Sequence, residues 1–87
     1  MRPTDHVSEF VYEEYVWPAL ERGDKIVTID THEIYDALHG LYSQSFIGGV
    51  LGSMHFRNTY RVSLESAEFA GTETYTFRLD VGRAMLT

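Results

Sequence analysis

The fold is decided by residues 31–54, which read THEIYDALHGLYSQSFIGGVLGSM. In the first half of this segment apolar residues recur at i, i+3, i+4 and i+7, at Ile34, Ala37, Leu38 and Leu41. This period predicts an amphipathic helix over residues 31–41. Asp30 precedes the helix, and Glu33 follows three residues later. That spacing predicts an N-cap and a back-reaching carboxylate at the start of the helix.

The second half of the segment predicts another helix, over residues 43–54. Its apolar residues again follow the helical period, at Ile47, Val50, Leu51 and Met54, and Ser43 is placed to cap it. Three glycines fall inside this helix, at Gly48, Gly49 and Gly52. Each costs about 1 kcal/mol relative to alanine in a helix interior. They fit close approach of another backbone, tight packing on the preceding helix, or a glycine-rich loop in place of the helix.

Further elements are predicted on both sides of this segment. Residues 5–22 predict a helix that Pro18 bends or divides. The β-branched run over residues 25–29 predicts a short strand. Apolar and polar residues alternate on both sides of a turn near Gly71, which predicts a β-hairpin over residues 60–80 with a short tail after it. The chain is therefore predicted to be one α+β domain over residues 1–87.

The charges are unevenly distributed along the chain. The net charge is −6, which argues against a protein that coats nucleic acid non-specifically. Nine of the thirteen acidic residues lie before residue 37, and none lies between Ala37 and Leu64. Arg57 and Arg61 fall in this acid-free stretch. The stretch is consistent with a face that meets an anion, or with chance and the low charge of segments rich in core residues.

The order helix, strand, helix, helix, strand, strand resembles a winged helix-turn-helix domain with a C-terminal β-hairpin wing. The positions that carry the resemblance are the apolar anchors and the hydroxyl at the second helix, namely Ile34, Ala37, Leu38, Ser43, Ile47 and Leu51. The resemblance covers nearly the whole chain and implies that the strand after the first helix pairs with the wing. The chain has a single lysine and thirteen acidic residues, a composition typical of a protein from a halophilic archaeon or its virus.

The resemblance implies double-stranded DNA binding, most simply by a small transcriptional regulator. In this family the N-terminal half of the second helix enters the major groove, which here places Gln44, Ser45, Gly48 and Gly49 against DNA. Arginines form planar bidentate contacts with phosphate, which makes Arg57 and Arg61 candidates for the DNA backbone. The full set of predicted DNA-binding residues is Ser43, Gln44, Ser45, Gly48, Gly49, Ser53, Arg57, Asn58, Arg61 and Arg78.

The predicted wing also supports a second hypothesis. Its turn carries Glu65, Glu68 and Glu73, and carboxylates repel phosphate. With the exposed aromatic Phe69, this composition fits a protein-interaction module on the same scaffold, such as a viral or accessory protein that docks on a host complex. The arginines then form a solvated surface or pair with nearby carboxylates.

Other classes of function have little support in the sequence. The four histidines do not lie at metal-ligand spacing, and we expect no metal and no cofactor. No catalytic motif is present, and we expect no enzymatic activity. No apolar run reaches the length of a membrane span, and the absence of cysteine fits a cytoplasmic, intracellular setting. A homodimer is predicted through helix 1, whose apolar residues exceed what one face can bury: Phe10, Tyr12, Tyr15, Val16 and Trp17.

Overall fold

The computed structural model describes residues 2–71 and 73–79. The first helix, α1, has three consecutive segments, Pro3–Val11, a π-helical turn Tyr12–Val16, and Trp17–Arg22. The elements that follow are β1 (Ile26–Asp30), α2 (Thr31–Ala37), α3 (Gln44–Leu51), α4 (Met54–Tyr60), β2 (Val62–Glu68) and β3 (Thr74–Leu79). The predicted α+β class is confirmed, with α4 as an additional helix. Residue 80 of the predicted hairpin and the predicted tail lie outside the described residues.

The three strands form one antiparallel sheet in the order β1-β3-β2. The strand between the first two helices therefore pairs with the C-terminal hairpin, with Ile29 opposite Tyr75, as the resemblance to winged helices implied. The predicted inward residues of the last strand, Tyr75, Phe77 and Leu79, are all buried. On the opposite face Thr28 and Thr76 are hydrogen-bonded to each other at 3.0 Å. The sheet thus has one apolar and one polar face.

Helix α1 passes through Pro18 by means of its π-helical turn. The amide of Trp17, the residue after this turn, donates to the carbonyl of Tyr12, five residues earlier. Pro18 then occupies the first turn of the last segment, a position in which proline is well tolerated. Of the five aromatic and apolar residues predicted to form a dimer surface, Val16 is fully buried and Trp17 is 49% exposed. The other three pack partly against the core of the same chain, which weakens that prediction.

Helix α2 is shorter than predicted. The predicted N-cap is confirmed, because the amide of His32 donates to Asp30 Oδ1 at 2.8 Å. The Glu33 carboxylate, predicted to reach back to the cap, accepts a hydrogen bond from the Tyr15 hydroxyl at 3.4 Å. The helix ends at Ala37, since His39 and Gly40 adopt left-handed conformations with φ of 55° and 70°. Leu41 is 62% exposed, so its predicted place on the buried stripe is wrong.

The helix predicted over residues 43–54 ends at Leu51, and a separate helix, α4, begins at Met54. Ser43 caps α3 as predicted, accepting a hydrogen bond from the amide of Phe46. Gly52 is the C-cap residue of α3, and the Ser53 hydroxyl caps α4 by accepting from the amide of Phe56 at 3.2 Å. The continuation of one helix to residue 54 is therefore wrong, because a second cap restarts the chain in a new direction. Helix α4 runs to Tyr60, and β2 consequently begins two residues later than predicted.

The two central glycines of α3 have opposite surroundings. A Cβ at Gly48 would overlap the Glu73 carboxylate and lie 3.1 Å from the Tyr75 hydroxyl, whereas one at Gly49 would meet no atom within 4 Å. We expect Gly49→Ala to raise the free energy of unfolding by about 0.5–1 kcal/mol, because alanine reduces the entropy of the unfolded chain. Gly48→Ala must displace Glu73, and we expect it to gain less or to destabilise. Urea unfolding of both variants measures the difference, and equal gains would contradict the packing described here.

Candidate anion-binding site

A pocket of about 560 Å³ opens where the end of α4 meets the first residues of β2 and the last residues of β3. Polar and cationic side chains line most of it, and two apolar residues complete the wall: Arg57, Asn58, Arg61, Val62, Ser63, Arg78 and Leu79. Four of the predicted DNA-binding residues, Arg57, Asn58, Arg61 and Arg78, are therefore brought together. We call this site the arginine pocket.

Packing in the core fixes the elements that carry these side chains. Phe56 is fully buried, and its ring lies 5.4 Å from that of Phe77 on β3. This contact holds α4 against the sheet and places the next residue, Arg57, at the pocket. Arg61 ends α4 in a left-handed conformation, with φ of 56°, and turns the chain into β2. Arg78 joins them through the sheet register, in which it pairs with Ser63.

The three arginines differ in their present partners. Arg57 Nη2 donates to the carbonyl of Gly52 at 3.3 Å, at the C-terminal end of α3. Arg78 Nε lies 2.7 Å from Glu65 Oε1, in an exposed ion pair. Across residues 2–71 and 73–79, Arg61 has no ion pair. A guanidinium has five N–H donors, so all three side chains retain donors for an added ligand.

The acidic residues of α1 face a different part of α4. Asp5 Oδ1 lies 4.0 Å from His55 Nε2. Burial raises the pKa of Tyr60 above its usual value, and the nearby carboxylates of Glu9 and Asp5 raise it further. The carboxylates of Asp5 and Glu9 therefore lie near His55 and Tyr60, neither of which lines the arginine pocket.

Three of the four residues predicted to read bases are exposed on α3. These are Gln44, Ser45 and Gly49. The Gln44 amide nitrogen is 3.2 Å from His32 Nδ1, so this side chain bridges to α2. Ser43 is also exposed, but its hydroxyl is already used as the helix cap.

Two of the predicted DNA-binding residues, Gly48 and Ser53, contribute to packing and helix capping in the structure. Gly48 is buried and packs against Glu73 and Tyr75, so it does not lie on an exposed helix face. Ser53 is half-buried, and its hydroxyl both caps α4 and donates to the carbonyl of Val50 at 2.7 Å. The burial of Gly48 disfavours its predicted contact with DNA, whereas the hydroxyl of Ser53 is occupied by these two hydrogen bonds.

Glu73 lies in the turn between β2 and β3, but it is half-buried and not exposed. Its side chain accepts a hydrogen bond from the Tyr75 hydroxyl at 2.8 Å, and its carbonyl accepts one from the Thr31 amide at 3.0 Å. Burial, together with this hydrogen bond and the adjacent charge, raises the pKa of Tyr75 to about 12, which keeps the hydroxyl a donor at neutral pH. Glu73 thus ties β3 to α2 and α3, while Glu65 is paired with Arg78.

The candidate residues form two groups at opposite ends of α3. Arg57 contacts the C-terminal end of α3, whereas Gln44 begins it. Eight residues at about 1.5 Å each separate these ends by roughly 12 Å. The sequence did not indicate that Val62 and Leu79 form a wall of the pocket. These two residues are brought together by the pairing of β2 with β3, which is a tertiary feature. Ser63 could have been predicted to line the site, because the alternation of a strand places it on the same face as Arg61.

Comparisons of the chain with protein-family models, curated proteins and solved structures find no match. Within residues 2–71 and 73–79, no three acidic, histidine or cysteine residues are grouped so that they can hold a metal ion. The helices in the same ranges include none with the length and apolar character needed to cross a membrane.

Proposed function

We propose that this protein binds double-stranded DNA, with the arginine pocket holding the phosphate backbone. The observation that carries the proposal is the convergence of Arg57, Asn58, Arg61 and Arg78 on one concave surface of an acidic chain. Arginine contacts phosphate through a planar fork of donors. A cluster of three such side chains on a protein of net charge −6 favours a localised anion site over a diffuse basic surface.

The geometry of α3 supports a duplex as the ligand. Gln44, the first residue of α3, lies roughly 12 Å along the helix axis from the end that Arg57 contacts. The major groove of B-DNA is about 12 Å wide, so a helix end in the groove and a contact to the bordering phosphates are compatible. Glutamine can pair with adenine in that groove. On this proposal the scaffold is a winged helix-turn-helix, and the protein acts inside the cell as a small transcriptional regulator by occupying its site.

The second candidate is a protein-interaction module. Two observations favour it: the Glu65 carboxylate already partly neutralises Arg78, and Phe69 is 66% exposed on the hairpin near Glu68. An exposed aromatic residue of this kind can anchor a protein partner.

A titration against mixed-sequence duplex DNA by fluorescence anisotropy tests the first candidate. If three arginines contact phosphate, the logarithm of the binding constant falls linearly with the logarithm of the salt concentration, with a slope of about −3. Absence of binding at low salt by a folded sample would refute DNA binding and favour a protein partner.

A further inference from the structure

The ion pair at the rim of the arginine pocket arises from an irregularity in the hairpin. Leu64 pairs with Phe77, but the next paired residue of β2, Ser66, faces Thr76, so Glu65 stands opposite no residue of β3. Such a β-bulge adds one residue to a strand and redirects its side chain. Here the bulged residue is a carboxylate, and its Oε1 lies 2.7 Å from Arg78 Nε.

We infer that Glu65 is an internal competitor that sets the affinity of the arginine pocket for phosphate. Its carboxylate occupies a donor of Arg78 that a phosphate oxygen would otherwise accept from. A ligand must therefore displace Glu65 to use that donor, or bind through Arg57 and Arg61 alone. The inference rests on the proposed DNA binding and explains why an acidic hairpin adjoins the pocket.

The exposure of the pair makes this competition reversible. The side chains of Arg78 and Glu65 are 68% and 38% exposed. Solvent screens an ion pair of this kind, which makes it weak. A polyanion that releases counterions on binding can therefore displace the carboxylate. Glu65 lowers the affinity of the site without closing it.

The test compares Glu65→Gln with Glu68→Gln. Both variants remove one negative charge from β2, but Glu65 is paired with Arg78, whereas Glu68 lies opposite Thr74 across the ladder. We expect Glu65→Gln to bind duplex DNA about two- to fivefold more tightly than Glu68→Gln, the range expected for release of an exposed ion pair.

A second substitution shows whether the effect passes through Arg78. In an Arg78→Gln background the advantage of Glu65→Gln over Glu68→Gln should vanish. Equal affinities of Glu65→Gln and Glu68→Gln, or an advantage that persists without Arg78, would overturn the inference while DNA binding by the unmodified protein stands. Failure of the unmodified protein and of every variant to bind DNA at low salt would refute the proposed function, and this inference with it.

Discussion

The double variant Arg57→Ala/Arg61→Asn is expected to bind duplex DNA roughly 60-fold more weakly than the unmodified protein at 0.1 M salt. The estimate assumes that each arginine neutralises one phosphate, which contributes about 0.9 to the salt slope. The slope should accordingly become shallower by about two. Asparagine is chosen at position 61 because the backbone there is left-handed, with φ of 56°, and asparagine tolerates that conformation.

The matched control for this variant is Arg22→Ala. Arg22 is also an exposed arginine, but it pairs with Asp24 at 2.9 Å and does not line the pocket. We expect its DNA affinity to change little. Arg57 also contacts the carbonyl of Gly52, so circular dichroism must show that the double variant is folded; Arg61→Asn alone provides the test if it is not. Affinity that stays unchanged in folded variants would remove the arginine pocket from DNA binding.

Regular periodicity made much of the core predictable. Tyr75, Phe77 and Leu79 alternate with polar residues along β3, and they share the buried face of the sheet. Ile34, Ile47 and Leu51 are likewise fully buried at helical spacing. These positions follow from the requirement that one face of each element be covered.

Short elements and tertiary contacts were not predictable in the same way. Helix α4 has seven residues, too few for its apolar period to be distinguished from a loop, although Ser53 was a signal for its cap. The need for glycine at position 48 comes from the nearby Glu73 carboxylate, which is distant in sequence. In the arginine pocket, Arg57, Asn58 and Arg61 are close along the chain and were grouped by the sequence, whereas the ion pair of Arg78 requires the bulge at Glu65.

Phe56→Ala is expected to lower the free energy of unfolding by about 3–5 kcal/mol, as for other buried phenylalanines. The ring is fully buried, and its centroid lies 5.3 Å from that of Tyr60 and 5.4 Å from that of Phe77. A domain of this size has a total stability of only roughly 4–13 kcal/mol, so most of it can be lost. Urea unfolding followed by circular dichroism measures the change, and Phe56→Leu should lose less because it retains most of the apolar volume.

Phe69→Ala is the control, because it removes the same side chain from a different environment. Phe69 is 66% exposed, and its ring meets that of Tyr75 edge-on at a centroid distance of 6.0 Å. We expect a loss within about 0.5 kcal/mol, as for most surface substitutions. If Phe56→Ala proved as mild as Phe69→Ala, α4 would not depend on this contact for its position. The placement of Arg57 and Asn58 at the pocket would then lack its structural cause, since Phe56 is the fully buried residue of α4.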